Sequence, residues 1–507
     1  MRYIIGIDIG TTNTKAVAYT DEGVVLQSAG VSYPVFSDES GRHELDPELL
    51  LEAVISTLRA VREKTVDKAE LAGVSFSCAM HSLIAVDAAG KPLTRAITWA
   101  DLRPAKYAKE LKESAAGRRI YRQTGTPIHA MSPLCKLLWL KATAPELFGR
   151  AARFISIKEY IWWRLLGSYA VDHSIASATG LLDIRSFDWC EEALAVAGIH
   201  AGQLSELVPG TFMASGVQPE FRSLGLPDGL PFIIGGSDGC LANLGSSAIR
   251  PGETALTIGT SGAIRMTASA PEYDVRERIF SYILTERQYV CGGATNNGGN
   301  VIQWYTAGLL GAKAGSSGAG KTGLSGAPGE TTDPLDHWVK EADTVPAGCE
   351  GLVFLPYLRG ERAPVWDADA KGVFFGIRSV HEQPHFMRAI LEGVSYSLYQ
   401  VGASLEETIG PIQHIYASGG FTRSKTWLQM IADVFFKRVY VTGIADASAI
   451  GAAMMGFYAL GIIADLEASA GLVKVVETYE PDAGRHAVYQ ENFRIFTELY
   501  SRLKDLM

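Results

Sequence analysis

Residues 3–10 alternate between apolar and small or polar positions, the period of a strand with two unlike faces. Gly23 then punctuates the chain before VVLQSAGVSY, so the N-terminus reads as a β-hairpin opening. The period changes after Asp46-Pro47-Glu48. LLLEAVISTLRAVREK is amphipathic with helical spacing, Asp46 has the chemistry of an N-cap, and Pro47 suits the first helical position. LAGVSFSC (71–78) is a buried strand, and PFIIGGSDGCLANLG (231–245) reads strand, turn, helix. Beyond IRPGE (249–253) the mixture resumes with a strand ending at Ile258, then GLVFLPYL (351–358), IQHIYASGG (412–420) and the helix SKTWLQMIADVFF (424–436). Both halves are mixed α/β. We expect one domain over 1–248 and a second over 249–507.

Two stretches depart from this pattern. Residues 447–464 form 18 uncharged positions in a row, barely the length of a membrane span, but the run is single, rich in Ala and Gly, and lacks flanking basic residues. A buried helix accounts for it better. Residues 311–330 contain seven glycines and read as a flexible loop or insertion. Within them, Gly315–Thr322 spells GxxxxGK[ST], the phosphate-binding loop pattern. That loop works only between a buried strand and a helix N-terminus. Here NVIQWYTAGLL before it reads as a helix and GLSGAPGETTDP after it cannot start one, so we set the match aside.

Composition narrows the function. The net charge of −9, without basic clusters, argues against nucleic acid as a partner. The six cysteines lie 50 or more residues apart with no CxxC pair, which fits reduced thiols in the cytoplasm and no zinc site. No signal-peptide layout opens the chain.

The chemistry concentrates where strands stop. Ile9-Gly10-Thr11-Thr12 is echoed by Ile258-Gly259-Thr260-Ser261. A strand that ends in glycine and hydroxyl residues presents amides and hydroxyls to a phosphate. Two such turns suggest two related domains gripping one nucleotide, with Thr11, Thr12, Asn13, Gly259 and Thr260 as donors. Asp8 precedes the first turn, and a carboxylate facing phosphate calls for a divalent cation between them; capping of the turn is its structural alternative. Asp238, in GGSDG before a helix, is the candidate general base. A helix N-terminus stabilises a carboxylate anion by about 0.3–1 kcal/mol, so we expect it ionised; a plain N-cap is the alternative.

The segments MSPLCKLLWL (131–140), FLPYLRGERAPVWD (354–367) and GVFFGIRSVHEQPHFMRAILE (372–392), in this order, resemble the signature and linking stretches of the FGGY carbohydrate kinases. The likeness spans nearly the whole chain. It implies two actin-like, ribonuclease-H-like ATPase domains with a cleft between them, ATP and Mg²⁺ as cofactors, a small-molecule sugar substrate, domain closure and a possible homodimer. SCAMHSLIAVD (77–87), ITWADLR (97–103), TGTPIH (124–129), IKEYI (157–161) and GGSDGCLANLG (235–245) look most like the branch acting on gluconate, a sugar acid. Members acting on xylulose share the Met-His and the Trp followed by Asp and Arg. The resemblance implies Asp8 at the metal, Asp238 as base, and Met80, His81, Trp99 and Asp101 at the sugar. It implies Gly299, Gln303, Gly419, Gly420 and Ser424 at the nucleotide. Residue by residue, a core role for Trp99, a structural role for His81 and an exposed amide for Gln303 are the alternatives. The cation for a substrate carboxylate stays open among Arg103, His129, Lys158 and Arg265. A nucleotide-dependent switch with the same fold is the non-enzymatic alternative.

Overall fold

The computed structural model describes residues 1–66, 68–310 and 339–507. The glycine-rich 311–330 segment and its GxxxxGK[ST] match lie outside them. The chain forms two compact units. The first comprises Met1–Ala255, Arg265–Cys291 and Gly443–Lys474; the second comprises Leu256–Ile264, Gly292–Thr442 and Val475–Met507. The first unit therefore takes in two segments beyond residue 248, which a single cut there would assign elsewhere.

The first unit is built on a six-stranded sheet, in the order Met213–Ala214, Phe232–Ser237, Glu70–Cys78, Arg2–Ile9, Asn13–Thr20, Val25–Ser32. The three N-terminal strands form an antiparallel meander, with Gly23 at φ 79° in its second turn. Arg2–Ile9 runs parallel to Glu70–Cys78, which runs parallel to Phe232–Ser237. The C-terminal ends of these three strands thus lie side by side, where open α/β sheets place their chemistry. The helix Pro47–Glu63 starts as expected, with the Asp46 carboxylate accepting from the Glu48 amide at 2.9 Å.

The apolar run after Asp446 is the helix Ala447–Ala459, buried from Ala449 to Phe457. Among the described residues no helix is long and apolar enough to cross a membrane. Glycine lets this helix lie against its neighbours. A Cβ on Gly6 would sit 2.2 Å from the Ala449 carbonyl oxygen, and one on Gly451 would sit 1.9 Å from that of Leu241. Its apolar residues merge with Ile4, Val17, Leu241 and Leu244 in one core cluster.

In the second unit the strand ending at Ile258 is followed across the sheet by His414–Ser418, Val439–Thr442 and Val475–Tyr479. The pairing is parallel between the middle two and antiparallel at the edge. Ser424 caps the helix Lys425–Phe435 through the Trp427 amide at 3.1 Å. NVIQWYTAGLL is helical, as its pattern indicates. It begins as Gly299–Gln303 and widens into a π turn over Trp304–Leu309.

Candidate active site

In the first unit the parallel strand ends gather three carboxylates. Asp8 lies near the end of its strand and accepts a hydrogen bond from Ser77 on the neighbouring strand at 2.7 Å. Burial first, then the charges of Asp446 and Asp238, push its pKa up to about 7, against Ser77 and Lys15. Lys15 is 3.3 Å from Asp446, which caps the 447–459 helix. Sequence reading missed Asp446; its only signal was an acidic residue closing off an apolar helix.

The carboxylates of Asp8, Asp446 and Asp238 are close enough to act on one another and supply hard oxygen donors, which fits a divalent cation such as Mg²⁺. Among the described residues no group of three or more His, Cys, Asp or Glu side chains is placed to hold an ion. A cation at Asp8 would therefore complete its shell with water and phosphate oxygens, as Mg²⁺ commonly does. Beside Asp8 the first Gly-Thr turn is tied by the Gly10 amide donating to the Asn13 carbonyl at 3.0 Å, and by the Tyr33 hydroxyl donating to the Gly10 carbonyl at 2.6 Å. Thr11 is partly exposed and Thr12 exposed, while Asn13 opens the next strand.

Asp238 is the first residue of the helix Asp238–Gly245; Ser237, not Asp238, is its N-cap. The plain-cap alternative is thereby removed. Its surroundings oppose the helix dipole. Burial raises the Asp238 pKa, with Arg265 and the amides of Gly239 and Met80 only moderating the rise. A carboxylate whose pKa is raised is a stronger proton acceptor than an unperturbed one. A bulge aims it: the pairing with Glu70–Cys78 shifts register between Ile233 and Gly236, and Gly235 adopts φ 70°. A Cβ there would lie 1.9 Å from the Phe76 carbonyl oxygen, so only glycine makes this bend.

Met80 adjoins Asp238, with its methyl group 2.6 Å from where a Gly239 Cβ would stand. His81, at φ 68° and 7% exposed, contacts the Ala178 carbonyl through Nδ1 at 2.7 Å and meets the Tyr282 ring edge-on. Trp99 is partly exposed after the short strand Ala96–Ile97. Asp101 departs from expectation. It is fully buried, and both its oxygens are taken by the His43 amide and by Arg103 at 2.7–3.1 Å. Its carboxylate organises the loop and is not free to take a sugar hydroxyl.

The same accounting sorts the candidate cations. Arg103 is bound to Asp101 and Glu44. Lys158 is buried between Asp172 at 2.7 Å and the Gly236 carbonyl at 3.0 Å. His129 accepts from the Met131 amide at 3.2 Å. Arg265 reaches the start of the Asp238 helix, where burial lowers its pKa against the charge of Asp238.

Sequence reading also missed Lys136. It is fully buried in the helix Pro133–Thr143 and donates to the carbonyls of His81, of Met131 at 2.9 Å and of Ile97 at 3.3 Å. Burial lowers its pKa to about 7. One ammonium thus pins the segments that carry His81, Trp99 and His129. A lone lysine inside the apolar MSPLCKLLWL was the available signal.

In the second unit a cavity of about 160 Å³ brings together six of the expected nucleotide residues: Gly259, Thr260, Gly299, Gln303, Gly420 and Ser424. Phe421 and Trp427 supply an aromatic wall. The Gly299 amide donates to the Gly259 carbonyl at 2.7 Å, so the turn and the 299–303 helix are joined by backbone. Gly419 does not line the cavity. Its φ of 97° turns the chain, and a Cβ there would lie 2.6 Å from the Ile258 carbonyl oxygen.

A carboxylate-lined strand edge in one α/β unit and a glycine-rimmed cavity with an aromatic wall in the other are the features of a two-domain phosphotransferase. The chain belongs to the FGGY family of carbohydrate kinases: residues 3–245 match the family's N-terminal domain and 254–460 its C-terminal domain. With the family comes the expected architecture of two actin-like domains. Over 503 residues the chain is 42% identical to a gluconokinase of Bacillus subtilis (strain 168), covering 99% of this chain and 96% of that one. Among solved structures, a gluconate kinase from Lactobacillus acidophilus superimposes with a TM-score of 0.91 at 34% identity, covering 99% and 98% of the two chains. A ligand-bound xylulose kinase from the same organism also has a TM-score of 0.91, at 33% identity, covering 99% of each chain.

Proposed function

We propose that this kinase transfers the γ-phosphoryl group of ATP to the terminal hydroxyl of D-gluconate, giving 6-phospho-D-gluconate. The observation that carries the chemistry is the placement of Asp238. Its carboxyl stands at a strand end, held by the Gly239 amide at 2.8 Å and next to Met80. Asp238 takes the proton as the hydroxyl oxygen attacks phosphorus in line with the leaving ADP oxygen. Phosphoryl transfer asks for little covalent work, so the remaining residues position and neutralise. Met80, His81 and Trp99 shape the sugar site in the part of the chain up to 248. Thr11, Thr12 and Asn13 serve the phosphates. Gly259, Thr260, Gly299, Gln303, Gly420 and Ser424 hold the nucleotide in the part from 249, with Gly419 shaping the turn before them. Asp8 holds Mg²⁺, which supplies charge neutralisation at the phosphates. Six buried free thiols suit a reducing compartment, and we place the enzyme in the cytoplasm.

The 42% identity to a gluconokinase favours gluconate over xylulose as acceptor. A coupled ADP-release assay across gluconate, xylulose, ribulose, glycerol and gulonate tests the reading, with gluconate expected to give the highest kcat/KM. A neutral sugar or polyol in first place would refute the substrate. ATP hydrolysis without any phosphorylated product would favour a nucleotide switch.

A further inference from the structure

Among the cations described above, Arg265 stands apart in how little it is used. Arg103, Lys136 and Lys158 each spend their donors on buried protein acceptors. Arg265 Nε is buried and has no hydrogen-bond partner among the described residues. Asp238 acts on the guanidinium as a charge through space. Orphaned buried donors are rare in native proteins and call for a partner. The surroundings keep the group in place: a Cβ at Gly239 would lie 3.1 Å from Nε, so glycine makes room for the guanidinium over the start of the Asp238 helix. The missing acceptor is an anionic oxygen, and the reaction offers two sources, the carboxylate of a sugar acid and the phosphoryl group in transfer.

We propose that Arg265 binds the substrate carboxylate and is the residue that selects a sugar acid over a neutral polyol. The assignment rests on the gluconate reading above. A guanidinium presents Nε and a terminal nitrogen side by side, the spacing of two carboxylate oxygens. An open-chain acid is flexible enough to offer its carboxylate to Arg265 and its far hydroxyl to Asp238. Gly239 then has two tasks, donating its amide to Asp238 and leaving space for Arg265.

The test compares wild type, Arg265→Gln and Arg265→Lys as full chains, with thermal melting to confirm that each folds. Titration calorimetry with gluconate and no nucleotide isolates the carboxylate from the phosphoryl group. Arg265→Gln is expected to weaken gluconate at least about 30-fold, the scale of charge-assisted hydrogen bonds, and Arg265→Lys to recover part of the loss. The KM for ATP stays unchanged. D-glucitol, which carries a hydroxymethyl group in place of the carboxylate, loses little as substrate or inhibitor, so the preference for the acid collapses. Unchanged gluconate affinity with reduced kcat would move Arg265 to the phosphoryl group and overturn the proposal. Equal losses for acid and polyol would reduce it to a structural residue. A wild type that ignores gluconate but phosphorylates a neutral polyol would refute the substrate reading itself, and the carboxylate anchor with it.

Discussion

At the scale of single residues, two buried carboxyls, Asp238 and Asp8, both have raised pKa values and carry different predictions. With Asp238 as the proposed proton acceptor, Asp238→Asn should lower turnover at least about a hundredfold while the fold and ATP binding survive. Steady-state kinetics beside nucleotide titration decide this, and near-wild-type turnover would remove Asp238 from the role of base. Asp8 reports on the charge of the site. Its carboxyl moves from an ordinary value of 3.8 to about 7 in the folded chain. Above that value the fold carries a buried anion beside Asp446 and Asp238. As pH falls through 7 toward 3.8, the folded state binds a proton that the unfolded state does not, and stability rises. The metal-free protein should therefore melt at a higher temperature at pH ~5.5 than at pH ~8, through this one ionisation. Asp8→Asn should be the more stable form near pH ~8 and show a flatter pH profile, with Asp238 supplying the remaining slope. An unchanged slope in calorimetric melts of Asp8→Asn would show that Asp8 is not the titrating group.

At the scale of elements, the site depends on how closely two helices approach. The 447–459 helix rests on the 238–245 helix through Gly451, and Gly245 repeats the arrangement toward the Ala447 carbonyl at 2.0 Å. A methyl group at Gly451 has no space beside Leu241. Gly451→Ala should cost about 1–3 kcal/mol by overpacking and lower kcat as well, since Asp238 begins the displaced helix. Urea unfolding and kinetics on one preparation read both effects; a variant as stable and active as wild type would show that the contact yields freely. The same elements mark what the sequence could and could not disclose. The strand at 71–78, the cap at Asp46 and the glycine turns were legible because local pattern and local chemistry define them. Asp446 was not, because its approach to Asp8 depends on a helix arriving from far along the chain. Asp101 misled for a related reason. An acid beside a tryptophan in a loop looks available until Arg103, two residues on, folds back to take both oxygens. Lys136 stayed hidden inside an apolar helix, where only burial reveals that it organises three loops.

At the scale of the whole molecule, the order of the sequence and the order of the units differ. A break at 248 follows naturally from the IRPGE turn and from the repeat of Ile-Gly-Thr. Yet the first unit is completed by Arg265–Cys291 and Gly443–Lys474. The strand Phe280–Thr285 is stitched to it through the Ser281 amide and the Gly125 carbonyl at 2.9 Å, and through the Ile283 amide and the Ser177 hydroxyl at 3.0 Å. The Tyr121 hydroxyl donates to the Ile279 carbonyl at 2.8 Å. The helix Ala447–Ala459 covers Ile4, Val17, Leu241 and Leu244. A fragment of residues 1–248 would lack both segments and leave this core open to water. Its remaining apolar surface can still drive collapse, but the specific packing around the central strand would be gone. We expect the fragment to keep far-UV helix and strand signals, to lose the near-UV signal of its packed aromatic side chains, and to melt without a cooperative transition. The intact chain should melt cooperatively and be stabilised further by ATP, in proportion to the logarithm of ligand concentration above its dissociation constant. A cooperative melt and a native near-UV spectrum from residues 1–248 alone would show that the later segments decorate the first unit and do not complete it.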